Sequence, residues 1–294
     1  MLPNFLCVGA QKAGTTTLHN ILKQHPDIYL PELKEAHFFD CEDRYQKGLS
    51  WWIDTFFDKY SNEKIMGAIT PDYLYYDEVP QMIYNDLGND IKIIIVLRDP
   101  VERAYSHYLM SRRRGIEDLS FREAIETENE RIKQSQYNRN HFSYVSRGFY
   151  LEQVKRYVNL FGKDQILFLS FEKDIINDID NTIFKIEKFL EIEQIKLNSK
   201  ISSNVASEPR YKIINKLIRQ NNLLKQSIKF FIKSDLIKFK IKNFIENMNQ
   251  RKILKKEPLN KQDRAKLIDL YQKEIIELSE ITQLNFDHWF NKAN

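Results

Sequence analysis

Gly9 and Gly14 bracket Ala10-Gln11-Lys12-Ala13, and Thr15, Thr16 and Thr17 follow directly. Glycines let a backbone curl so that its peptide N–H groups converge, and a helix beginning after them adds partial positive charge. The result is a cradle for an anion, with the Lys12 ammonium inside it. The competing reading is an ordinary strand-to-helix turn capped by a threonine, and the lysine within the loop favours phosphate. Glu35 and His37 stand two apart, just before Phe38 and Phe39. In an extended segment that spacing puts the carboxylate and the imidazole on one face. Either group can take a proton from an attacking hydroxyl, and apolar neighbours would raise the carboxylate's pKa toward that use. Arg98 offers a planar fork of donors that suits a phosphate.

These side chains need elements to hold them. Residues 5–8 form a short apolar, β-favouring run, and Leu18, Ile21 and Leu22 are spaced for a helix, so the glycine loop joins a strand to a helix. Residues 91–97, interrupted only by Lys92, read as a strand buried on both faces of a parallel sheet. Arg98 then lies at its carboxyl end, where α/β sheets place their ligand crevice. Pro100 suits the first turn of a helix over residues 101–113. Strands are expected at 64–69 and 166–171, and a helix over 149–161 stops before Gly162. Ile28-Tyr29-Leu30 reads as loop between Pro26 and Pro31. Beyond residue 172 the pattern is helical, over 180–190, from 211 onward and over 261–282, with a polar surface loop at 198–209. Strands alternating with helices predict an α/β fold: a single P-loop-like domain over residues 1–294, its central parallel sheet flanked by helices and its C-terminal part helical.

In the common P-loop a lysine follows the second glycine and the next hydroxyl holds magnesium. Here Thr15 has that place and Lys12 precedes Gly14 by two, a poor fit to a nucleotide kinase. Instead, Phe-Leu-Cys-Val-Gly-Ala-Gln-Lys-Ala-Gly-Thr-Thr-Thr-Leu, residues 5–18, resembles the 5′-phosphosulfate loop of sulfotransferases that use 3′-phosphoadenosine 5′-phosphosulfate (PAPS). Lys34-Glu35-Ala36-His37-Phe38-Phe39-Asp40 is similar to the catalytic segment of the heparan-sulfate glucosaminyl type. Arg98-Asp99-Pro100-Val101-Glu102-Arg103-Ala104-Tyr105-Ser106-His107-Tyr108 is similar to the 3′-phosphate segment.

The resemblance implies roles. Lys12 meets charge growing on the leaving oxygen, and the backbone through Ala13, Gly14, Thr15, Thr16 and Thr17 binds the 5′-phosphate and sulfonate oxygens. Glu35 is the general base, and His37 orients acceptor or sulfonate; other branches use a histidine base, which keeps His37 as the alternative. A plain salt bridge from Glu35 to Lys34 or Lys12 is the competing reading. Arg98 and Ser106 hold the 3′-phosphate, against a simple Arg98–Asp99 helix cap. Tyr150, in Arg147-Gly148-Phe149-Tyr150, lies in a segment near the nucleotide, as contact or as core. Asn204-Val-Ala-Ser-Glu-Pro-Arg210 resembles a late loop that closes over the nucleotide in bacterial carbohydrate sulfotransferases, with Arg210 as a second cation or a solvated one. Heparan-type enzymes carry a lysine where this chain has Ile69, so more rests on Lys12. The implied donor is PAPS, the product PAP, and the acceptor a hydroxyl or amine of a carbohydrate or glycolipid, with no metal.

Composition narrows the field. A 294-residue chain with 42% hydrophobic and 29% charged residues can bury a core unaided and is neither collagen-like nor wholly disordered. Two cysteines, Cys7 and Cys41, exclude a disulfide framework and a zinc cluster and fit a reducing cytosol. The net charge of +4 is too mild for a nucleic-acid binder. Residues 212–256, however, hold thirteen Lys and Arg against Asp235 and Glu246, an excess of +11 that leaves −7 elsewhere. That segment reads as a helix with its apolar face packed inward and solvated lysines, or as a face for a membrane surface or anionic glycan. With neither a long apolar stretch nor a basic N-terminal flank, a cytoplasmic location is expected. A nucleotide kinase and a non-catalytic nucleotide-binding protein are the alternatives to a sulfotransferase.

Overall fold

The computed structural model describes residues 2–200, 207–209, 250–252 and 258–290. Five strands make one all-parallel sheet: β1 (Phe5–Gly9), β2 (Ile28–Tyr29), β3 (Ile65–Ile69), β4 (Lys92–Leu97) and β5 (Ile166–Ser170). Their order is β2-β3-β1-β4-β5. Every residue of β1 and β3 is buried, as helices on both faces of a parallel sheet require. β1 is central, pairing Phe5 with Gly67 of β3 and with Lys92 of β4. A Cβ on Gly67 would run into the Phe5 ring, so this close strand approach needs glycine.

Among the described residues the α-helices are α1 (Thr15–Leu22), α2 (Glu42–Tyr45), α3 (Gly48–Phe56), α4 (Val79–Leu87), α5 (Pro100–Arg113), α6 (Phe121–Glu126), α7 (Glu128–Arg131), α8 (Gln136–Phe142), α9 (Tyr150–Phe161), α10 (Ile179–Phe189) and α11 (Lys261–Thr282). The chain divides into two compact units. The first comprises Met1–Arg103, Val145–Ser203 and Arg264–Asn294 and contains the parallel sheet. α9 presents Leu151, Val154, Tyr157 and Phe161 to the core, and the Tyr157 hydroxyl donates to the Tyr73 carbonyl at 3.0 Å. The second comprises Ala104–Tyr144 and Asn204–Asp263. There the buried Glu117 carboxylate accepts from Arg131 at 2.7 Å and from the Tyr144 hydroxyl at 2.8 Å, and Ser120 with Glu123 closes a capping box on α6.

The α/β architecture with a central parallel sheet and a helical C-terminal part is the one expected, and α11 has the predicted bounds. Three local readings are corrected. Ile28 and Tyr29, expected in a loop, pair with Ile65 and Met66 as an edge strand too short to show any alternation. Residues 207–209, expected in a loop of a helical region, form β6 (Ser207–Pro209), antiparallel to β7 (Gln250–Lys252). The strand expected to reach Phe171 stops at Ser170, whose hydroxyl accepts from Lys173 N–H and caps a π-helical turn over Phe171–Asn177. The helix predicted from residue 211 lies outside the described residues. No described helix is long and apolar enough to cross a membrane.

Candidate functional site

Three neighbouring strands, β3, β1 and β4, deliver their carboxyl ends to one edge of the sheet, the position at which parallel α/β sheets bind ligands. β1 runs into the glycine loop. Gly14 adopts φ +81°, and a Cβ there would lie 2.9 Å from Ile175 and Phe171, so glycine is required. α1 starts at Thr15 with no side-chain cap on Gly14, and since the Gly14 carbonyl accepts from Thr17 N–H at 2.9 Å, the amides of Thr15 and Thr16 are the ones that suit an anion. Ala13 and Thr15 are buried, whereas Lys12, Thr16 and Thr17 are half-buried.

Arg98 follows β4, and its Nη1 donates to the Lys12 carbonyl at 2.7 Å. Its guanidinium lies 4.6 Å above the Phe171 ring and 4.0 Å from Glu102. Arg98 Nε is buried and has no hydrogen-bond partner among the described residues, which fits a site for an absent anion. Asp99 turns instead to the backbone of Val101 and Glu102 and to Arg264, so the Arg98–Asp99 capping pair does not form. Tyr150 is buried with its hydroxyl donated to the Arg98 carbonyl at 3.0 Å. It supports Arg98 from the core. Ser106 is half-buried on α5, in the second unit. Arg210 lies outside the described residues, as does nearly all of 212–256.

The segment between β2 and α2 holds Glu35 and His37, and it is not extended: their φ values are +68° and +47°. With Lys12 at +73°, three of the six described non-glycine residues with positive φ are these candidate residues, so backbone strain gathers at them. The turn still brings His37 Nε2 to 3.8 Å from Glu35 Oε2. His37 Nδ1 donates to Asp40 at 2.7 Å, and Lys34 pairs with Glu35 Oε1. Asp72, in the turn after β3, completes the cluster, with atoms of Glu35, His37 and Asp72 all within 4.8 Å of one another.

Charge, not apolar surroundings, governs this cluster. Phe38 and Phe39 were expected to desolvate Glu35 and raise its pKa; instead both rings join Trp52, Phe38 stacking on it at 4.9 Å. Burial does push Glu35 up, but Lys34 and His37 outweigh it and hold the carboxyl below its ordinary value. Burial pulls His37 down, yet Asp40, Asp72 and Glu35 lift it to about 9. That shift favours the protonated imidazole at neutral pH, in which His37 donates.

Asp72, Asp40 and Gln11 carry no role in the sequence reading. Asp72 bonds Arg147 at 2.6 Å, with both side chains buried and the guanidinium 4.4 Å above the Tyr75 ring. Gln11 Nε2 donates to Asp72 Oδ1 at 3.3 Å, tying the glycine loop to the Glu35–His37 cluster. The signal available for Asp72 was its place: it stands after β3 as Arg98 stands after β4.

Residues 2–266 match the family model described as a sulfotransferase domain. Heparan sulfate glucosamine 3-O-sulfotransferase 3B1 of Mus musculus is 31% identical over 203 residues, covering 66% of this chain and 47% of that protein. Membrane-associated sulfotransferase kil1 of Dictyostelium discoideum is 37% identical over 112 residues, covering 37% of this chain and 23% of that protein. The chain thus spans about half the length, or less, of these curated relatives. The crystal structure of a sulfotransferase from Alicyclobacillus acidocaldarius matches with a TM-score of 0.71 and 26% identity, over 99% of this chain and 100% of that one.

Proposed function

The chain belongs to the sulfotransferase domain family, and from that membership we propose that it transfers a sulfuryl group from PAPS to a carbohydrate or glycolipid acceptor by in-line displacement. The acceptor hydroxyl, or amine, forms the new bond to sulfur as the bond from sulfur to the 5′-phosphate oxygen breaks and PAP leaves. A carbohydrate is supported by the heparan sulfate enzymes among the relatives. The family match runs through both compact units, which supports one catalytic domain.

The observation that carries this reading is the Gln11–Asp72 hydrogen bond of 3.3 Å. It ties the glycine loop to the Glu35–His37–Asp72 cluster, which supports donor and acceptor sites on one side of the sheet. Lys12 and the first-turn amides of α1 steady the 5′-phosphate and the leaving oxygen. Arg98, with an unused buried Nε, takes the 3′-phosphate. Glu35, ionised at neutral pH, accepts the acceptor's proton, while protonated His37 donates to acceptor or sulfonate oxygens.

A divalent cation is not part of the proposal, because the carboxylates already have cations: Lys34 on Glu35 and Arg147 on Asp72. The test is transfer of labelled sulfate from PAPS to heparan-derived oligosaccharides, with and without EDTA, alongside calorimetry of PAP against 5′-AMP. Labelled product in both assays and a preference for PAP are expected. Equal affinity for PAP and 5′-AMP would refute the proposed donor, and an EDTA loss restored by magnesium would refute the metal-free reading.

A further inference from the structure

Lys34 is unusual for a lysine. Its side chain is only 13% exposed, and its ammonium is spent on Glu35 Oε1. Its charge is felt inward too, at the buried Cys7 thiol and at His19. A lysine so little exposed calls for a charged partner, and the partner here is the proposed base. The two carboxylate oxygens are therefore inequivalent: Oε1 carries the lysine, and Oε2 faces His37 at 3.8 Å.

We propose that Lys34 is a positioning residue, whose ammonium pins Glu35 by Oε1 so that Oε2 is the oxygen that receives the acceptor's proton. The proposal rests on Glu35 being the base. Glu35 is faced by Lys34 and His37 from its own segment and by Asp72 from the turn after β3, with Asp40 on the far nitrogen of His37 and Arg147 on Asp72. Asp72 opposes ionisation of Glu35, and burial opposes it further, so Lys34 is the nearest and largest favourable charge. Without it the carboxylate is free to rotate and easier to protonate.

The test is a carboxyl-carbon NMR titration of protein labelled with 13C-glutamate, Glu35 being assigned by its loss in Glu35→Gln. In the unmodified chain Glu35 should titrate below the ordinary glutamate value of about 4.3. Lys34→Met should raise that value by about one pH unit or more, and Lys34→Arg should restore most of it. In the sulfate-transfer assay Lys34→Met should lower kcat and shift the acidic limb upward by a like amount, with PAP affinity within about twofold. An ordinary Glu35 titration in the unmodified chain overturns the proposal without any variant. So does a folded Lys34→Met protein with an unmoved titration. Full turnover in Glu35→Gln would refute the base itself and leave the titration intact, which separates the two failures.

Discussion

Arg98 Nη1 donates to the Lys12 carbonyl at 2.7 Å across 86 residues of sequence. The side chain proposed to grip the 3′-phosphate is thus bonded to the backbone of the residue proposed to meet the leaving oxygen. One hydrogen bond joins the two proposed phosphate subsites.

Arg98→Ala should therefore act on both ends of the nucleotide, unequally. Loss of a charge-assisted phosphate contact costs roughly 1.5–3 kcal/mol, so PAP binding should weaken by about ten- to a hundredfold. Affinity for 5′-AMP should fall by a smaller factor, about threefold, through the slackened loop. Calorimetry with both ligands checks this, and equal losses would remove the 3′-phosphate from Arg98.

Glu35→Gln keeps the shape of the side chain and removes its basicity. It should lower kcat by about 10²–10⁴-fold while PAP affinity holds. Because Lys34 and His37 keep Glu35 ionised, the wild-type rate should stay level on the acid side until pH falls below the ordinary carboxylate range. Near wild-type turnover in the variant would exclude Glu35.

His37 should govern the alkaline side. Its pKa of about 9 makes it a donor through neutral pH, so the rate should decline as pH rises past about 9, a limb that His37→Gln should abolish. Stability follows the same sign. A base whose pKa is raised on folding stabilises fully below its unfolded value of about 6.5 and loses that contribution as pH climbs through about 9. Melting temperatures taken across that window should slope downward in the wild type and flatten in His37→Gln.

The Arg147–Asp72 pair is buried on both sides, so breaking it leaves a charge with no solvent to receive it. Arg147→Met should destabilise the protein by roughly 3–5 kcal/mol, and adding Asp72→Leu should recover part of the loss. Denaturant unfolding of the single and double variants measures this; an additive double variant would show that the two residues do not couple.

Much of the scaffold was legible from local pattern. Hydrophobic runs specified β1, β4 and β5, a glycine pair specified the loop, and the helical period of the last segment specified α11 to its end residues. These features report on neighbours within one or two turns, which is all that periodicity encodes. β2 escaped because two residues carry no period. The residue types at the site were legible too: Lys12, Glu35, His37 and Arg98 stand out by chemistry and spacing.

The electrostatics of the site came only in part from local sequence. Phe38 and Phe39 follow His37 in sequence, yet their rings pack on Trp52; the charges that lower Glu35, Lys34 and His37, are its neighbours in the chain, while Asp72, which opposes them, comes from the turn after β3. Asp72 meets Gln11, 61 residues back, because β3 and β1 are neighbours in the sheet and end on the same side, and it meets Arg147, 75 residues on, from the turn before α9. A charge acts through distance in space, so the parts that Asp72 and Arg147 play depend on how the chain folds, a fact that no window of sequence contains.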